Sequence, residues 1–526
     1  MKRPPDVVFS DMLRPIFLLN LFSFIYTFDK YRAMKSFLKL LSLTALLLIS
    51  VSITYSQEAE TLTIVKGRED TVNSSRHYVV GAALKRSKIF INGRSVKQYS
   101  TGSFGAEITL AEGDNPVTVR VVNGEIDTVD TFNVYFQRAT PKPLDNQLNF
   151  FPKRVIKTKP GAYLNYGAGD DRLGGAKINF LAEGIKMELI DSIKNLYKVK
   201  LSESRYAFIP KQFTDFEPFG TPPATSLSGS WNVSNTGKTD RVRIAIDNRQ
   251  PYTIHRELDP NILVVEIHGI QCNSNWITQY LNLKAIEYVH LRQSESDILS
   301  VIVKLRDKYS WGYAVDYTGG FLDININHTP EAIVQSARPT LKGLVIGVDA
   351  GHGGEAEGAV SPSGMKEKDL NLAMVYMLKE ELENRGAKVI LSRSGDVDVT
   401  MLERVNIFID EKIDLLVSVH CNAGGNPLNP MGTSTYYRHI EYRTLAETIL
   451  KRLTELNVVN FGLVGNFNFS LNSPTQFPSV LVETLFMSSL PDEEKLAQPN
   501  FQRELMVKVA KGLEDYIKIV KSDLKN

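Results

Sequence analysis

This sequence is short of several things. Its 526 residues hold two cysteines, Cys272 and Cys421, far apart along the chain. That excludes a disulfide framework and a cysteine-rich zinc site. Neither sign of charge is in excess: 61 basic residues stand against 59 acidic ones, a formal net charge of +2. Nucleic acid calls for a clustered basic face, so no nucleic-acid partner is expected. No run of like charge is long enough to make a polyionic tail. The HExxH pattern is missing, which removes the thermolysin-like route to a metallohydrolase. The apolar run at 40–53 falls short of the roughly 20 residues that a spanning helix needs.

What is present describes a multidomain globular protein. The chain is 43% hydrophobic and 23% charged, and its length suits three or four domains. Residues 34–57, "MKSFLKLLSLTALLLISVSITYSQ", place Lys35 and Lys39 before the apolar run and small residues after it. That is the tripartite order of a secretory signal. It predicts a secreted chain, periplasmic or associated with the cell envelope, whose mature form has no membrane span. Residues 1–33 read as an upstream extension, with translation expected to start at Met34.

Three all-β modules are expected next. Residues 57–138 carry β-rich runs punctuated by Asn92-Gly93, Thr101-Gly102 and Gly113-Asp114-Asn115. They resemble the immunoglobulin-like (Ig-like) modules of secreted bacterial proteins. Thr140-Pro141-Lys142-Pro143 reads as a linker. Residues 150–216, with "LAEG" before "IKMELID" and then "LYKVKLSESRYAFI", resemble a bacterial SH3-like module, with Ala207-Phe208 where that family usually has Gly-Trp. A spacer barrel and a wall-binding module are both open for it. After a linker at 218–226, residues 227–330 alternate apolar and polar positions in β-branched runs. Their layout is similar to the β-sandwich domains that target wall amidases to the envelope. His255, His268, His290 and His328 are scattered there without ligand spacing.

From Leu344 the texture changes. Strand-like runs such as "LVIGVDA", "DLLVSV" and "PSVLVE" alternate with helix-like ones, and the strands are apolar on both faces. That pattern predicts an α/β catalytic domain over residues 342–522, with a mainly parallel sheet covered by helices. Open α/β sheets place sites beyond the carboxyl ends of their strands. The first strand runs into His352, the "LLVSV" strand ends at His420, the "SVLV" strand ends at Glu483, and Glu367 opens a helix on the same rim. Two histidines and a carboxylate are a three-ligand set for catalytic zinc, with a fourth position left for water or substrate. Glu367 is the candidate ligand, with His352 and His420. Glu483 is the candidate catalytic acid/base.

The neighbours read more plainly. Cys421 is expected to be a small buried thiol, and Asn422 could orient a loop or substrate. His439 is expected at the surface, and Glu355 and Glu357 in solvent. Glu403 and Arg404 are expected to be ordinary helix-surface charges, with a brace of the site as the alternative for Arg404.

The ordered runs "IGVDAGHGG", "GMKEKDLNLA", "GAKVILSRSGD", "LERVNIFID", "DLLVSVHCNA", "GTSTYY", "PSVLVETLFMSS" and "EEKL" resemble the zinc-dependent N-acetylmuramoyl-L-alanine amidases of bacterial cell walls. The resemblance implies Zn2+ on His352, Glu367 and His420, Glu483 as acid/base, and peptidoglycan as substrate. It suits wall turnover or cell separation, with a protein activator in the envelope as a possible partner. The chain departs from the family at "VETLFMSS", where "ELGF.SN" is usual, and at Phe461-Gly462, where "RG" is common. Alternatives are a catalytically retired wall-binding or regulatory protein, and a zinc peptidase acting on another peptide.

Overall fold

The computed structural model describes residues 61–138, 154–169 and 173–524. The signal-like segment, the extension before it and the linker at 140–143 lie outside these residues. Among the described residues no helix is long and apolar enough to cross a membrane.

The front of the chain is β throughout. Between Leu62 and Phe136 the strands form a three-stranded and a five-stranded sheet. Nine buried side chains, among them Val79, Phe104 and Val119, make their core. Asn92 and Gly93 both have positive φ and turn strand Lys88–Ile91 into Arg94–Val96, as the dipeptide requires. Gly113-Asp114-Asn115 differs from expectation: it starts strand Gly113–Asn123. Asn115 closes the preceding turn from the strand side, where its amide bonds the backbone of Ala111 at 2.8 Å.

A seven-stranded sheet follows between Arg154 and Phe216, and then a six-stranded and a four-stranded sheet between Ser226 and Asn327. Strand Thr239–Ile246 alternates half-buried and buried positions, the period-2 pattern of a sheet with one face inward. Ile156, Leu164 and Val199 before the 218–226 linker share one apolar cluster with Trp231, Val265 and Ile324 after it. The two β regions therefore pack on each other.

The last third alternates strand and helix. Its elements are β1 (Val345–Ala350), α1 (Glu367–Asn384), β2 (Lys388–Leu391), α2 (Met401–Asp410), β3 (Leu415–Asn422), β4 (Thr433–Tyr436), α3 (Arg443–Thr454), β5 (Asn460–Val464), β6 (Ser479–Phe486), α4 (Leu490–Leu496) and α5 (Pro499–Asp523). Six strands form one sheet in the order β2-β1-β3-β6-β4-β5. Only the β4–β6 pairing is antiparallel. Central strands β1, β3 and β6 are buried nearly end to end because helices cover both faces. Thr400 and Glu403 form a reciprocal capping box that starts α2. Strand β5 and helix α4 were not expected from the sequence; β5 is a half-exposed edge strand and α4 is a short helix of seven residues.

Candidate functional site

Three side chains from three elements meet beyond the carboxyl ends of β1 and β3. His352 follows β1, Glu367 opens α1 and His420 lies near the end of β3. One donor atom from each lies within 4.8 Å of the others, and no other such group of His, Cys, Asp or Glu occurs among the described residues. His352 Nε2 lies 3.1 Å from Glu367 Oε2, and His420 Nδ1 lies 3.0 Å from Glu367 Oε1. The two rings meet edge to face at 5.2 Å. A tetrahedral ion with bonds of about 2.0–2.1 Å separates its ligands by about 3.3 Å, so small side-chain rotations suffice to close on one. The buried His420 Nε2 has no hydrogen-bond partner in the protein, an orphan that suits a ligand or solvent contact. The donor set therefore fits a divalent metal such as zinc.

The electrostatics follow from crowding these groups. Burial pushes the Glu367 carboxyl up, but hydrogen bonds and charge from His352 and His420 outweigh it and hold it well below the usual carboxylate range. Burial also works against a charged His420, yet Glu367, Glu483 and Asp349 together raise its pKa. Glu367 further accepts from the amides of Ala359 (2.9 Å) and Cys421 (3.1 Å) and from Asn371 Nδ2 (3.2 Å).

The turn that carries His352 is built under constraint. His352 has φ of 63°, a left-handed conformation uncommon for a side chain with a β-carbon. A β-carbon on Gly351 would run into the His420 ring, and one on Gly358 would run into Glu367 and His352. Glycine is needed at both positions so that the loop can come this close. Two buried arginines hold the turn from below. Arg404 donates to Asp349 Oδ1 (2.7 Å) and to the carbonyls of Ala350 (2.6 Å) and His352 (2.7 Å). Arg393 donates to the carbonyls of Ala350 (3.0 Å) and Gly351 (3.1 Å). Asp349 is wholly buried; burial raises its pKa, and Arg404 and His420 bring it down below normal. Arg404 is thus not a helix-surface charge: it is buried, because its guanidinium pairs with Asp349 and braces the His352 turn.

Glu483 stands on β6 directly beside His420 in the parallel register and is half-buried. It is near enough for its charge to act on His420. Phe469 closes another side, its ring 5.6 Å from that of His420.

The remaining expectations divide. Cys421 is a buried thiol, raised well above its ordinary pKa by burial, with Sγ 3.3 Å from Thr484 Oγ1. Asn422 Nδ2 donates to the Tyr436 hydroxyl at 3.1 Å. Glu355 is exposed, whereas Glu357 is half-buried and paired with Lys366 at 2.7 Å. His439 is not a surface residue: it is half-buried and bonded to the Ser473 carbonyl at 3.0 Å, because the chain after β4 tucks under the loop before β6. Sequence reasoning passed over Asn371, Arg393 and Phe469. Asn371 had a signal, since it lies four residues after Glu367 on one helix and so shares its face. Arg393 and Phe469 reach the site from loops, where periodicity says nothing.

Residues 346–515 match the family described as N-acetylmuramoyl-L-alanine amidase. The uncharacterized protein YqiI of Bacillus subtilis (strain 168) is 34% identical over 186 residues, 35% of this chain and 88% of that protein. The N-acetylmuramoyl-L-alanine amidase AmiC of Neisseria meningitidis serogroup B is 28% identical over 250 residues, 38% of this chain and 60% of that one. Among solved structures, the catalytic domain of CwlV, an N-acetylmuramoyl-L-alanine amidase from Bacillus (Paenibacillus) polymyxa var. colistinus, is 29% identical. It is covered over 99% of its length by 34% of this chain, with a TM-score of 0.32.

Proposed function

Because the chain belongs, through its C-terminal third, to the N-acetylmuramoyl-L-alanine amidase family, we propose that it is a secreted zinc amidase of the cell wall. It would hydrolyse the amide between the lactyl group of N-acetylmuramic acid and L-alanine in peptidoglycan. The observation that carries the reading is the convergence of His352, Glu367 and His420 within 4.8 Å, with Glu483 beside His420 in register.

His352, Glu367 and His420 would hold zinc. When bound, zinc supplies Lewis acidity toward a carbonyl oxygen and lowers the pKa of water. Glu367 is suited to binding because it is held as a carboxylate by its partners. Glu483 would take the proton of the attacking water and return it to the leaving amine. Asp349, Arg393 and Arg404 do no chemistry in this scheme; they fix the carbonyls of the turn that aims His352. The altered run after Glu483 has structural work to do, since Ser489 caps α4 and Ser488 donates to the Gly424 carbonyl at 2.8 Å.

The β regions fit a chain that works in the envelope. We divide them into an Ig-like module (57–138), an SH3-like module (150–216) and a targeting β-sandwich (227–330) before the amidase domain (342–522), with residues 34–57 as an export signal. Such a chain would serve wall turnover or cell separation, and a protein activator in the envelope is a natural partner. The test is digestion of purified peptidoglycan by the chain from Gln57, with zinc and with a chelator. Mass spectrometry should find free peptides beginning at L-alanine and peptide-free glycan only with zinc. Zinc binding without such products would move the reading to a retired enzyme or to another peptide substrate.

A further inference from the structure

One buried carboxylate links the N-terminal β region to the rim of the site. Glu493, on α4, is wholly buried. Its Oε1 accepts the Ser363 amide at 2.8 Å. Its Oε2 accepts the Ser103 hydroxyl at 2.5 Å, with the Thr101 hydroxyl at 3.4 Å. Ser103 is itself fully buried and starts strand Ser103–Thr109 of the N-terminal sheets. Next to this contact the Ser100 amide donates to Glu494 Oε1 at 2.9 Å. The strand lies so close that a β-carbon on Gly105 would come within 3.2 Å of both Leu428 and Leu490.

Ser363 belongs to the segment that joins His352 to Glu367. It sits in a tight turn closed by the Ser361 amide on the Met365 carbonyl and the Gly364 amide on the Ser361 carbonyl, both at 2.9 Å. A bridge between Val360 and Lys366 carries the turn to the first residue of α1, Glu367. The Ala359 amide, on the near side of that bridge, donates to Glu367 Oε2. Glu493 therefore holds the N-terminal region with one oxygen and the turn with the other. A buried carboxylate that loses a donor is left short of partners and shifts to recover one. Groups that orient a ligand from behind affect metal sites strongly.

We propose that Ser103 and Glu493 are positioning residues, through which the N-terminal β region holds the 361–365 turn in register with Glu367. The N-terminal region, which lies outside the family match at 346–515, then completes the site. The consequence for catalysis rests on the amidase reading; the mechanical link does not.

The experiment uses the full chain as wild type, Ser103→Ala, Ser103→Thr and Glu493→Met. Amide hydrogen exchange is followed across residues 359–366, and kcat and KM are measured on purified peptidoglycan. Ser103→Ala should speed exchange at Ser363 and Gly364 about tenfold and lower kcat severalfold with KM little changed. Ser103→Thr, which keeps the hydroxyl, should restore both. Glu493→Met, which fills the same space but removes both acceptor oxygens, should reproduce the alanine phenotype, and it carries the test if Ser103→Ala fails to fold. Unchanged exchange across the turn in the folded variants overturns the proposal, whatever happens to thermal stability. A loosened turn with kcat unchanged overturns it as well. A wild type that releases no peptides sinks the amidase reading instead, and the exchange comparison still decides the link.

Discussion

Glu367 and Glu441 are both almost wholly buried, at 4% and 3% exposure, one on the rim of the candidate site and the other in the segment between β4 and α3. Their carboxyls move in opposite directions. Glu367 has two histidines, two backbone amides and an asparagine around it, and it stays ionised. Glu441 lies where the segment Ile440–Tyr442 meets strand Tyr252–Leu258 of the preceding β region. Neither of its oxygens bonds another side chain. Burial drives its pKa up to about 7, against only its own backbone amide and the charge of Arg256. The other titratable groups that act on it or feel it are Tyr313, Tyr442 and Tyr516, all pushed up by burial. Burial alone makes a carboxyl neutral; donors arranged around it keep it charged.

The comparison can be broken from either side. The largest effect should come from removing a partner of Glu367. His420→Ala is expected to weaken zinc binding more than about 100-fold, read by competition with a chromogenic chelator. Next is the buried pair below the turn. Arg404→Met leaves Asp349 charged and unpaired, which should cost about 3–5 kcal/mol in denaturant unfolding.

Glu441 gives a pH-dependent effect. It keeps its proton in the fold up to about pH 7, and in the unfolded chain only to about pH 4.5. Between those values folding takes up a proton, so stability falls as pH rises, by about 3 kcal/mol in all. Glu441→Gln should flatten that slope, measured as thermal unfolding from pH 4.5 to pH 8. The smallest effect is expected at the exposed capping box of α2, where Glu403→Ala should cost about 1 kcal/mol or less.

The sequence was most legible where chemistry falls at the ends of regular elements. β1, β3 and β6 are continuous apolar runs, so His352, His420 and Glu483 could be placed on one rim before any coordinates, and Glu367 at a helix start joined them. At the start of α2 a local signal went unread, the Thr400–Glu403 spacing of a capping box. Contacts between distant segments left no trace. Ser103 and Glu493 are 390 residues apart, and no periodicity relates them. The apolar cluster shared by Ile156 and Trp231 is equally silent, because each strand only shows that one face is buried and not what it faces. Nothing local marks Glu441 as buried either; the segment Ile440–Tyr442 meets strand Tyr252–Leu258, nearly two hundred residues earlier in the chain.

In the proposed function metal binding falls to Glu367 and proton transfer to Glu483, two carboxylates with separate work. The measurement that tests this division most directly is zinc content and wall cleavage on the same preparations of wild type, Glu367→Gln and Glu483→Gln. Glu483→Gln should keep one zinc per chain and release no peptide, whereas Glu367→Gln should lose both. Peptide release by Glu483→Gln, or full zinc in Glu367→Gln, would contradict the assignment.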